Sequence, residues 1–467
     1  MKITMISHTE GNSRLLLVFA GWSTRPDFYA PLSVAGWDIA IVHDYTGLTF
    51  DYSLLRDYGS VYVLAWSLGV VAAESAAAQL PEDIRIAAAF AVNGTTRPLS
   101  DTYGIPHDIY HGTERTLNLR NLLKFRRRMS SRRDLYAFPQ DPDTFTEDDI
   151  APLRSELRIL AGAESEERLP WRRAYISEND LIFPAQNQRA AWETHPAQPQ
   201  IVTVPAGHYI PLDRIISDIL PNHEKIARGF RRASESYDAN AVAQQRIAER
   251  LADMIPEEMT HRRVEIVEIG AGSGLLSRRL NRLQHIASAT FIDLYPTPEF
   301  GIAPVEEYLR CDAEEWIAKV DDKSFDAIFS ASTIQWFADA ALFFANAARA
   351  LREDGELICS TFVAGNLGEL DALRPSPLLY HTEDEIRAML EPYFRDIELE
   401  TEEIRVEFPD AAALLRHLRA TGVTGAYTPG GALSPAAIRT YLRTLPDHPA
   451  LTYRPLFIRA RRGNVEC

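Results

Sequence analysis

The chain has 467 residues, which is too long for one ordinary domain, so two or three domains are expected. Its formal net charge of −16 argues against nonspecific binding to nucleic acid or to an anionic membrane surface. The three cysteines are widely spaced and form no C-x-x-C pair, so the sequence indicates neither a disulfide framework nor a metal site.

The most apolar stretch near the start is "RLLLVFAGW", from Arg14 to Trp22. It is too short to span a bilayer, and His8 and Glu10 precede it where a signal peptide has basic residues. We therefore interpret it as a buried strand, and we expect a cytoplasmic protein with no membrane partner.

Strands and helices alternate through the first half of the chain. The apolar runs "LLLVFAG", "DIAIVHDY", "VYVLAWS" and "AAAFAVNGT" are each bounded by turn residues. Continuous apolar strands between helices predict a parallel sheet that is covered on both faces. A more polar, helix-forming region over about 101–169 interrupts this pattern, and "RRAYISEND" and "PQIVTVPAGH" resume it. The predicted first domain, 1–220, is therefore α/β with a helical cap.

A serine lies where the third of these strands turns into a helix, in "VLAWSLGVVAA". Ser67 has the place of the nucleophile in G-x-S-x-G, although the first glycine is replaced by the small residue Ala65. In α/β-hydrolases an acid and a histidine follow, on loops after late strands. Asp180 and His208 fit this order, and Glu178 is an alternative acid. The sequence thus predicts a serine hydrolase triad.

An oxyanion hole for this triad requires two backbone N–H donors. One is expected from Leu68, which follows the nucleophile, and the second from the loop after the first core strand, most plausibly Trp22.

This half resembles the BioG-type pimeloyl-ACP methyl ester esterases over about residues 14–215, on the stretches "FAGW", "AWSLGV", "NDLIFPAQNQ" and "GHYIPL". The resemblance implies cleavage of the methyl ester at the far end of a pimeloyl chain carried on acyl carrier protein. It also implies that Ser67 is the nucleophile, His208 the base and Asp180 its orienting partner.

A basic segment, "RTLNLRNLLKFRRRMSSRR", has eight basic residues and no acid. Since acyl carrier proteins are strongly acidic, a basic rim beside the active site is expected to steer and orient them. The plain alternative is a solvated helix face, and consecutive helical residues point in different directions, so only some would contact the partner. The predicted docking residues are Lys124, Arg126, Arg127, Arg128, Arg132 and Arg133.

A second α/β series follows a boundary near Pro221 and defines the predicted domain 221–467. It begins with a helical stretch over 235–254 and a strand that ends in "EIGAGSG". Glycines at this position let the backbone approach a bound adenosyl group closely. The loop supplies Glu268, Gly270, Gly272 and Gly274.

Three acids favour S-adenosylmethionine over a nicotinamide cofactor. Glu268, two residues before the first glycine, suits a cationic methionine moiety better than a pyrophosphate. Asp293 ends the next strand, where it can accept from ribose hydroxyls, and Asp312 follows the third strand, where methyltransferases usually contact adenine. Ala313 and Ser330 complete the predicted cofactor site of a Rossmann-like class I methyltransferase.

The methyl acceptor is not expected to be a nucleic acid. The strand "FDAIFSAS" is followed by "TIQWF" and not by an N-P-P-Y-type motif, and no cysteine is placed for cytosine chemistry. Tyr237, Gln335 and Trp336 are candidates for closing over cofactor and substrate, although Trp336 suits core packing equally well.

Residues 223–462 resemble the BioC-type malonyl-ACP O-methyltransferases, on "FRRASESYDANAVAQQRIAERL", "EIGAGSG", "SASTIQWF", "LLRHLRATGV" and "LTYRPLFIRARR". The resemblance implies O-methylation of a malonyl carboxylate on acyl carrier protein or coenzyme A. Such a carboxylate is ionised at neutral pH, so no general base is required.

Together the two resemblances imply a bifunctional protein of biotin synthesis. One alternative is a fused esterase and small-molecule O-methyltransferase of secondary metabolism. Another is a hydrolase half that serves only as a docking module.

Overall fold

The computed structural model describes residues 1–130, 136–139, 145–163, 165–370, 378, 380–421, 441 and 443–463. The chain divides into two compact units, Met1–Ile216 and Ser217–Cys467, each with a seven-stranded sheet. The division falls a few residues before the end of the predicted first domain at 220. Within the described residues, no helix is both long and apolar enough to cross a membrane.

The sheet of the first unit is parallel except at one edge. Its strand order is β1-β3-β2-β4-β5-β6-β7, and only β1 runs antiparallel to its neighbour. The sequence analysis missed β1, because this half-exposed edge strand has no continuous apolar run. The strands are β1 (Lys2–Ser7), β2 (Arg14–Phe19), β3 (Asp38–His43), β4 (Ser60–Trp66), β5 (Ile86–Val92), β6 (Trp171–Ser177) and β7 (Gln200–Val204).

Helices connect these strands, and three of them lie between β5 and β6, in the region predicted to form the cap. The helices are α1 (Pro26–Tyr29), α2 (Gly69–Ala77), α3 (His107–Thr116), α4 (Leu119–Arg127), α5 (Ile150–Ala161), α6 (Ala185–Glu193) and α7 (Leu212–Ile219). Short 3₁₀ turns occur at Ser53–Asp57 and Glu147–Asp149.

The sheet of the second unit has the order β10-β9-β8-β11-β12-β16-β13. Its first five strands are parallel, and β16 is antiparallel to both β12 and β13. A separate antiparallel pair is formed by β14 and β15. The strands are β8 (Arg263–Ile269), β9 (His285–Asp293), β10 (Glu306–Arg310), β11 (Phe325–Ser330), β12 (Leu351–Phe362), β13 (Phe394–Thr401), β14 (Ile404–Glu407), β15 (Ala450–Tyr453) and β16 (Pro455–Arg462).

The helices of the second unit begin earlier than predicted. The Asn222 side chain accepts a hydrogen bond from the Lys225 N–H and caps a helix that the sequence analysis started at residue 235. The backbone turns at Ala241 and separates this helix from the next. The helices are α8 (His223–Asn240), α9 (Val242–Asp253), α10 (Glu257–Thr260), α11 (Ala313–Ile317), α12 (Ala340–Ala350), α13 (Glu383–Leu390) and α14 (Ala411–Ala420).

Alternation along the central strands gives this unit two cores, one on each face of its sheet. Ile266 and Ile358 belong to one cluster, and their neighbours Val267 and Leu357 belong to the other. Successive residues of a strand point to opposite faces, so strands that are apolar throughout are buried on both sides. The α/β class is confirmed for both units.

The turn after β4 determines which positions must be glycine. Ser67 has a left-handed φ of 60°. A Cβ atom on Gly69 would lie 2.4 Å from the Phe19 carbonyl oxygen, and one on Gly94 would lie 2.1 Å from the Ser67 carbonyl oxygen. Ala65 lies inside the sheet, fully buried, and tolerates a methyl group. The turn therefore requires a glycine after the serine, at Gly69, whereas alanine is accommodated at the first glycine position of the motif, Ala65.

We expect Gly69→Ala to destabilise the first unit by about 2–3 kcal/mol, because the added methyl group overlaps two backbone oxygens of β2 and its loop. Gly112→Ala is the matched control: it adds the same methyl group inside α3, where no atom lies within 4 Å, and should stabilise by about 0.5–1 kcal/mol. Urea unfolding of the full chain measures both. Equal changes in the free energy of unfolding for the two variants would contradict the packing argument.

Candidate active sites

The ends of three parallel strands bring the predicted triad together in the first unit. The His208 Nε2 atom lies 2.9 Å from Ser67 Oγ, and His208 Nδ1 lies 2.9 Å from Asp180 Oδ2. Ser67 follows β4 directly, Asp180 follows β6 and His208 follows β7. The side chains of His208 and Asp180 are fully buried. The geometry matches a nucleophile, a base and an orienting acid.

The Asp180 carboxylate is held by several donors. Its Oδ1 accepts hydrogen bonds from the N–H groups of Ile182 and Phe183, at 2.8 and 2.9 Å. Its Oδ2 also accepts from Gln188 Nε2 at 3.0 Å, a contact that the sequence analysis missed. Glu178, the alternative acid, is exposed. The structure therefore places Asp180, and not Glu178, against the histidine.

The histidine loop is fastened to the neighbouring strands. The His208 carbonyl oxygen accepts hydrogen bonds from Trp66 Nε1 at 3.1 Å and from Asn93 Nδ2 at 2.8 Å. Its imidazole stacks on the Phe183 ring at a centroid distance of 6.1 Å. Asn93 follows the apolar run of β5, and a polar residue directly after a buried strand is the signal that could have identified it.

The two predicted oxyanion donors lie beside the nucleophile. The backbone N–H groups of Trp22 and Leu68 have no hydrogen-bond acceptor among the described residues. Both residues are buried and line the same cavity as Ser67. Two unpaired N–H groups at a nucleophile are the arrangement that stabilises a tetrahedral oxyanion.

The cavity at Ser67 is narrow and mainly apolar. It encloses about 460 Å³ including the solvent at its mouth, and most of its wall comes from the cap. A hydrocarbon chain fits such a wall better than a charged group does. The lining residues are Trp22, Ser67, Leu68, Ile105, Ile109, Tyr110, Thr113, Phe125, Arg128, Leu157 and Ile182.

The predicted docking residues separate into two groups. Lys124, Arg127 and Arg128 are exposed on or at the end of α4, and Arg128 also lines the serine cavity. Arg126 is only 4% exposed and donates to the Ser23 carbonyl, so its assignment to the docking surface is wrong. The remaining two, Arg132 and Arg133, lie outside the described residues.

The second unit has a large cavity at the carboxyl ends of β8 to β11, enclosing about 930 Å³ including the solvent at its mouth. Most of the predicted cofactor and substrate residues line it. These are Tyr237, Glu268, Gly270, Gly272, Asp293, Asp312, Ala313 and Trp336.

Three predicted residues do not line this cavity. A Cβ atom on Gly274 would lie 2.2 Å from the Phe300 ring, so this glycine serves packing. The Ser330 hydroxyl is buried and donates to the Ile269 carbonyl at 2.9 Å. The Gln335 amide turns back to the Ser332 carbonyl at 2.5 Å. Sequence spacing identified the right loops, but not the direction of each side chain.

One buried acid, Glu268, and one half-buried acid, Asp293, make the cavity suitable for a cation. Burial raises the pKa of Glu268 to about 8, and its Oε2 accepts one hydrogen bond from Ser277 Oγ at 2.6 Å. Burial likewise raises the pKa of Asp293 to about 6, although the Gly272 N–H donates to it at 2.8 Å. Gly270 has a φ of 75°, which brings the loop backbone to the cavity wall. These features fit the sulfonium, ammonium and ribose groups of S-adenosylmethionine.

Three further polar groups, which no sequence pattern predicted, line this cavity. Gln244 Oε1, Ser273 Oγ and Ser332 Oγ are buried without a hydrogen-bond partner in the described part of the chain. Unpaired buried polar atoms are costly, so they mark where a ligand supplies the partner. No local motif distinguishes Gln244 from other helical glutamines.

Helix α8 forms one wall of the cavity. His223 Nδ1 lies 2.8 Å from Asp312 Oδ2 at the beginning of this helix. The Phe230 ring contacts those of Tyr237 and Trp336 at centroid distances of 6.0 and 5.7 Å. Tyr237 and Trp336 are thus parts of one aromatic group at the cavity.

The chain is similar to known proteins along most of its length. The family model "Pimeloyl-ACP methyl esterase BioG" matches residues 1–213, and a "Methyltransferase domain" model matches residues 267–359. A malonyl-[acyl-carrier protein] O-methyltransferase of Bacteroides fragilis is 31% identical, over 96% of this chain and 92% of the relative. One from Porphyromonas gingivalis is 31% identical, over 51% of this chain and 95% of the relative. The crystal structure of BioG from Haemophilus influenzae is 31% identical, over 45% of this chain and 94% of that chain, with a TM-score of 0.39.

The raised pKa of Glu268 predicts a pH-dependent stability. Between its usual pKa of 4.5 and about 8 the folded protein keeps a proton that the unfolded chain loses, so stability falls as the pH rises through this range. Glu268→Gln should remove a slope of about 1 kcal/mol per pH unit. Thermal unfolding at pH 5, 6.5 and 8 measures it, with exposed Glu257→Gln as the control. If the stability of Glu268→Gln and of Glu257→Gln both depended on pH as that of the wild-type protein does, the raised pKa of Glu268 would be contradicted.

Proposed function

The chain belongs to the malonyl-[acyl-carrier protein] O-methyltransferase family, and on this basis we propose that it is a bifunctional enzyme of biotin synthesis. The second unit transfers a methyl group from S-adenosylmethionine to the free carboxylate of malonyl-ACP. The first unit hydrolyses the methyl ester of pimeloyl-ACP. The contiguous line of hydrogen bonds from Ser67 through His208 to Asp180 is the observation that supports the proposed ester hydrolysis. Both proposed substrates are carried on acyl carrier protein, so we also propose a cytoplasmic location.

The two activities have one physical purpose. An ionised carboxylate is costly to bury in an apolar pocket, so a free malonyl group is a poor substrate for enzymes that elongate hydrocarbon chains. Methylation removes the charge, and ester hydrolysis restores it once the chain has its final length.

The proposed hydrolysis follows from the positions of the triad atoms. Ser67 Oγ attacks the ester carbonyl while His208 Nε2 takes its proton, and the same nitrogen then protonates the departing methoxide. Methanol leaves, and the acyl group stays bonded to Ser67. Asp180 keeps the proton of His208 on Nδ1 and stabilises the imidazolium. The N–H groups of Trp22 and Leu68 bind the oxyanion. Water, activated by His208, then releases the acid and regenerates the serine.

The proposed methyl transfer requires positioning and exclusion of water. S-adenosylmethionine, when bound, supplies an electrophilic methyl group. Glu268, Asp293 and Asp312 would hold its cationic and hydroxyl groups, and Tyr237 and Trp336 would shield the acceptor. No Lys or Arg lines the described cavity. Because the acceptor carboxylate is already ionised, aligning it with the methyl group supplies most of the rate enhancement.

The cap suggests why a short methyl ester escapes hydrolysis. The serine cavity is walled by apolar cap residues such as Ile105, Phe125 and Leu157. A pimeloyl chain covers more of this wall than a malonyl chain, so it gains more binding energy. Equal rates of hydrolysis for short and long methyl esters would contradict this explanation.

The triad assignment is tested by Asp180→Asn. We expect kcat for pimeloyl-ACP methyl ester to fall about 10³- to 10⁴-fold, because the amide no longer holds the required histidine tautomer. Glu178→Gln is the matched control, since the exposed Glu178 should leave kcat unchanged. Release of the free acid, followed by mass spectrometry, measures both. A large loss of kcat in Glu178→Gln and none in Asp180→Asn would identify Glu178 as the acid that orients His208.

The carrier-docking surface is tested by reversing two exposed charges, Lys124→Glu with Arg127→Glu. We expect KM for pimeloyl-ACP methyl ester to rise about tenfold at low salt, since an acidic partner is now repelled. The effect should shrink at high salt. Hydrolysis of dimethyl pimelate, which has no carrier, reports whether the catalytic site is intact. A small-molecule esterase would show no change in KM for either substrate.

A further inference from the structure

The loop that supplies the Trp22 N–H, residues 20–24, is hydrogen-bonded at nearly every position. The Ala20 N–H donates to the Val42 carbonyl at 2.9 Å. The Gly21 N–H donates to the Tyr29 hydroxyl at 3.1 Å, and its carbonyl accepts from the Thr24 hydroxyl at 2.6 Å. We call residues 20–24 the oxyanion loop. Its backbone directions are fixed on the sheet side by these contacts.

Two further contacts join the oxyanion loop to the cap. The Trp22 indole N–H donates to the Leu153 carbonyl of α5 at 3.0 Å. The Arg126 guanidinium of α4 donates to the Ser23 carbonyl. Ser23 has a left-handed φ of 63°, a strained conformation for a residue other than glycine, which persists only when its surroundings enforce it.

Arg126 is placed for this contact and not for solvent. It is 4% exposed, and its guanidinium lies 5.0 Å from the Phe138 ring centroid and 4.9 Å from that of Phe145. Burial of a guanidinium is costly without strong hydrogen bonds and aromatic faces. Contact with two aromatic rings limits the positions from which the Arg126 guanidinium can donate.

We propose that Arg126 is a positioning residue of the esterase oxyanion hole, which acts by holding the strained Ser23 carbonyl and thereby directing the adjacent Trp22 N–H at the reacting carbonyl. The inference rests on the proposed esterase activity of Ser67. The Trp22 N–H and the Ser23 carbonyl are separated by few rotatable bonds. When the carbonyl and the indole are both fixed, the intervening peptide has little freedom, and the N–H is preorganised before the oxyanion forms.

The proposal separates Arg126 from the docking residues on the same helix. A docking residue affects only substrates on a carrier protein, whereas a positioning residue affects any ester at Ser67. It also affects the transition state more than the ground state, so kcat falls and KM changes little. Binding of a trifluoromethyl ketone, whose adduct with Ser67 carries an oxyanion, should weaken in parallel with kcat.

The test uses the full chain, dimethyl pimelate and a medium-chain methyl trifluoromethyl ketone. For Arg126→Met we expect kcat to fall about 10- to 100-fold, with KM within about threefold of wild type, because one of two oxyanion donors loses its alignment. Inhibitor affinity should fall by the same factor as kcat. Arg120→Met, an exposed arginine on α4 outside the docking set, is the control and should match wild type.

Arg126→Lys keeps a cation but loses the planar donor, so kcat and inhibitor affinity should both fall, by about three- to tenfold. This variant decides the question if Arg126→Met does not fold. Wild-type kcat in either folded variant, or a loss of kcat with unchanged inhibitor affinity, would overturn the role of Arg126. Absence of hydrolysis and of fluorophosphonate labelling in the wild-type chain would instead overturn the esterase assignment.

Discussion

The backbone must turn out of the sheet at the carboxyl ends of the parallel strands, and both candidate sites depend on this constraint. Ser67 and Gly270 take left-handed backbone conformations directly after β4 and β8. A sharp turn exposes the following N–H groups and side chains at the sheet edge, where neighbouring strands end as well. Groups that are distant in sequence, such as Ser67 and His208, therefore meet without a dedicated scaffold.

The acids that the strand ends position, Asp180 in the first unit and Glu268 in the second, differ in how they are hydrogen-bonded. Asp180 accepts hydrogen bonds from two backbone N–H groups, an amide and the histidine, so both of its oxygens have partners within the protein. Among the described residues, the Glu268 carboxyl has hydrogen bonds from Ser277 alone, and burial raises its pKa to about 8. The first acid orients a base that is already present. Glu268 can accept further hydrogen bonds, which suits a ligand that brings its own positive charge.

Much of this organisation is readable from the sequence, because continuous apolar runs mark strands buried on both faces. Those runs predicted the parallel strands β2 to β7 of the first sheet. In the second sheet β8 to β11 were predicted, but the parallel strand β12 was missed. The order of Ser67, Asp180 and His208 predicted which loops converge. The half-exposed β1 has no such pattern and was missed. The choice of cofactor rested on acids at strand ends, and Glu268 and Asp293 do line one cavity.

Side-chain direction was beyond the reach of sequence patterns. Arg126 belongs to a basic run, yet its helical position turns it inward onto two aromatic rings. Ser330 and Gln335 lie within two residues of true cavity residues but point away. Gln188 and Gln244 have no motif, since their roles arise from tertiary packing alone.

The most direct measurement for the bifunctional account is the intact mass of malonyl-ACP after incubation with S-adenosylmethionine and the full-length Ser67→Ala variant. This variant cannot hydrolyse its own product, so methylation accumulates if it occurs. The account predicts a gain of one methyl group, removable by subsequent mild alkaline hydrolysis as expected of an ester. An unchanged mass, with cofactor binding demonstrated in the same sample, would contradict it.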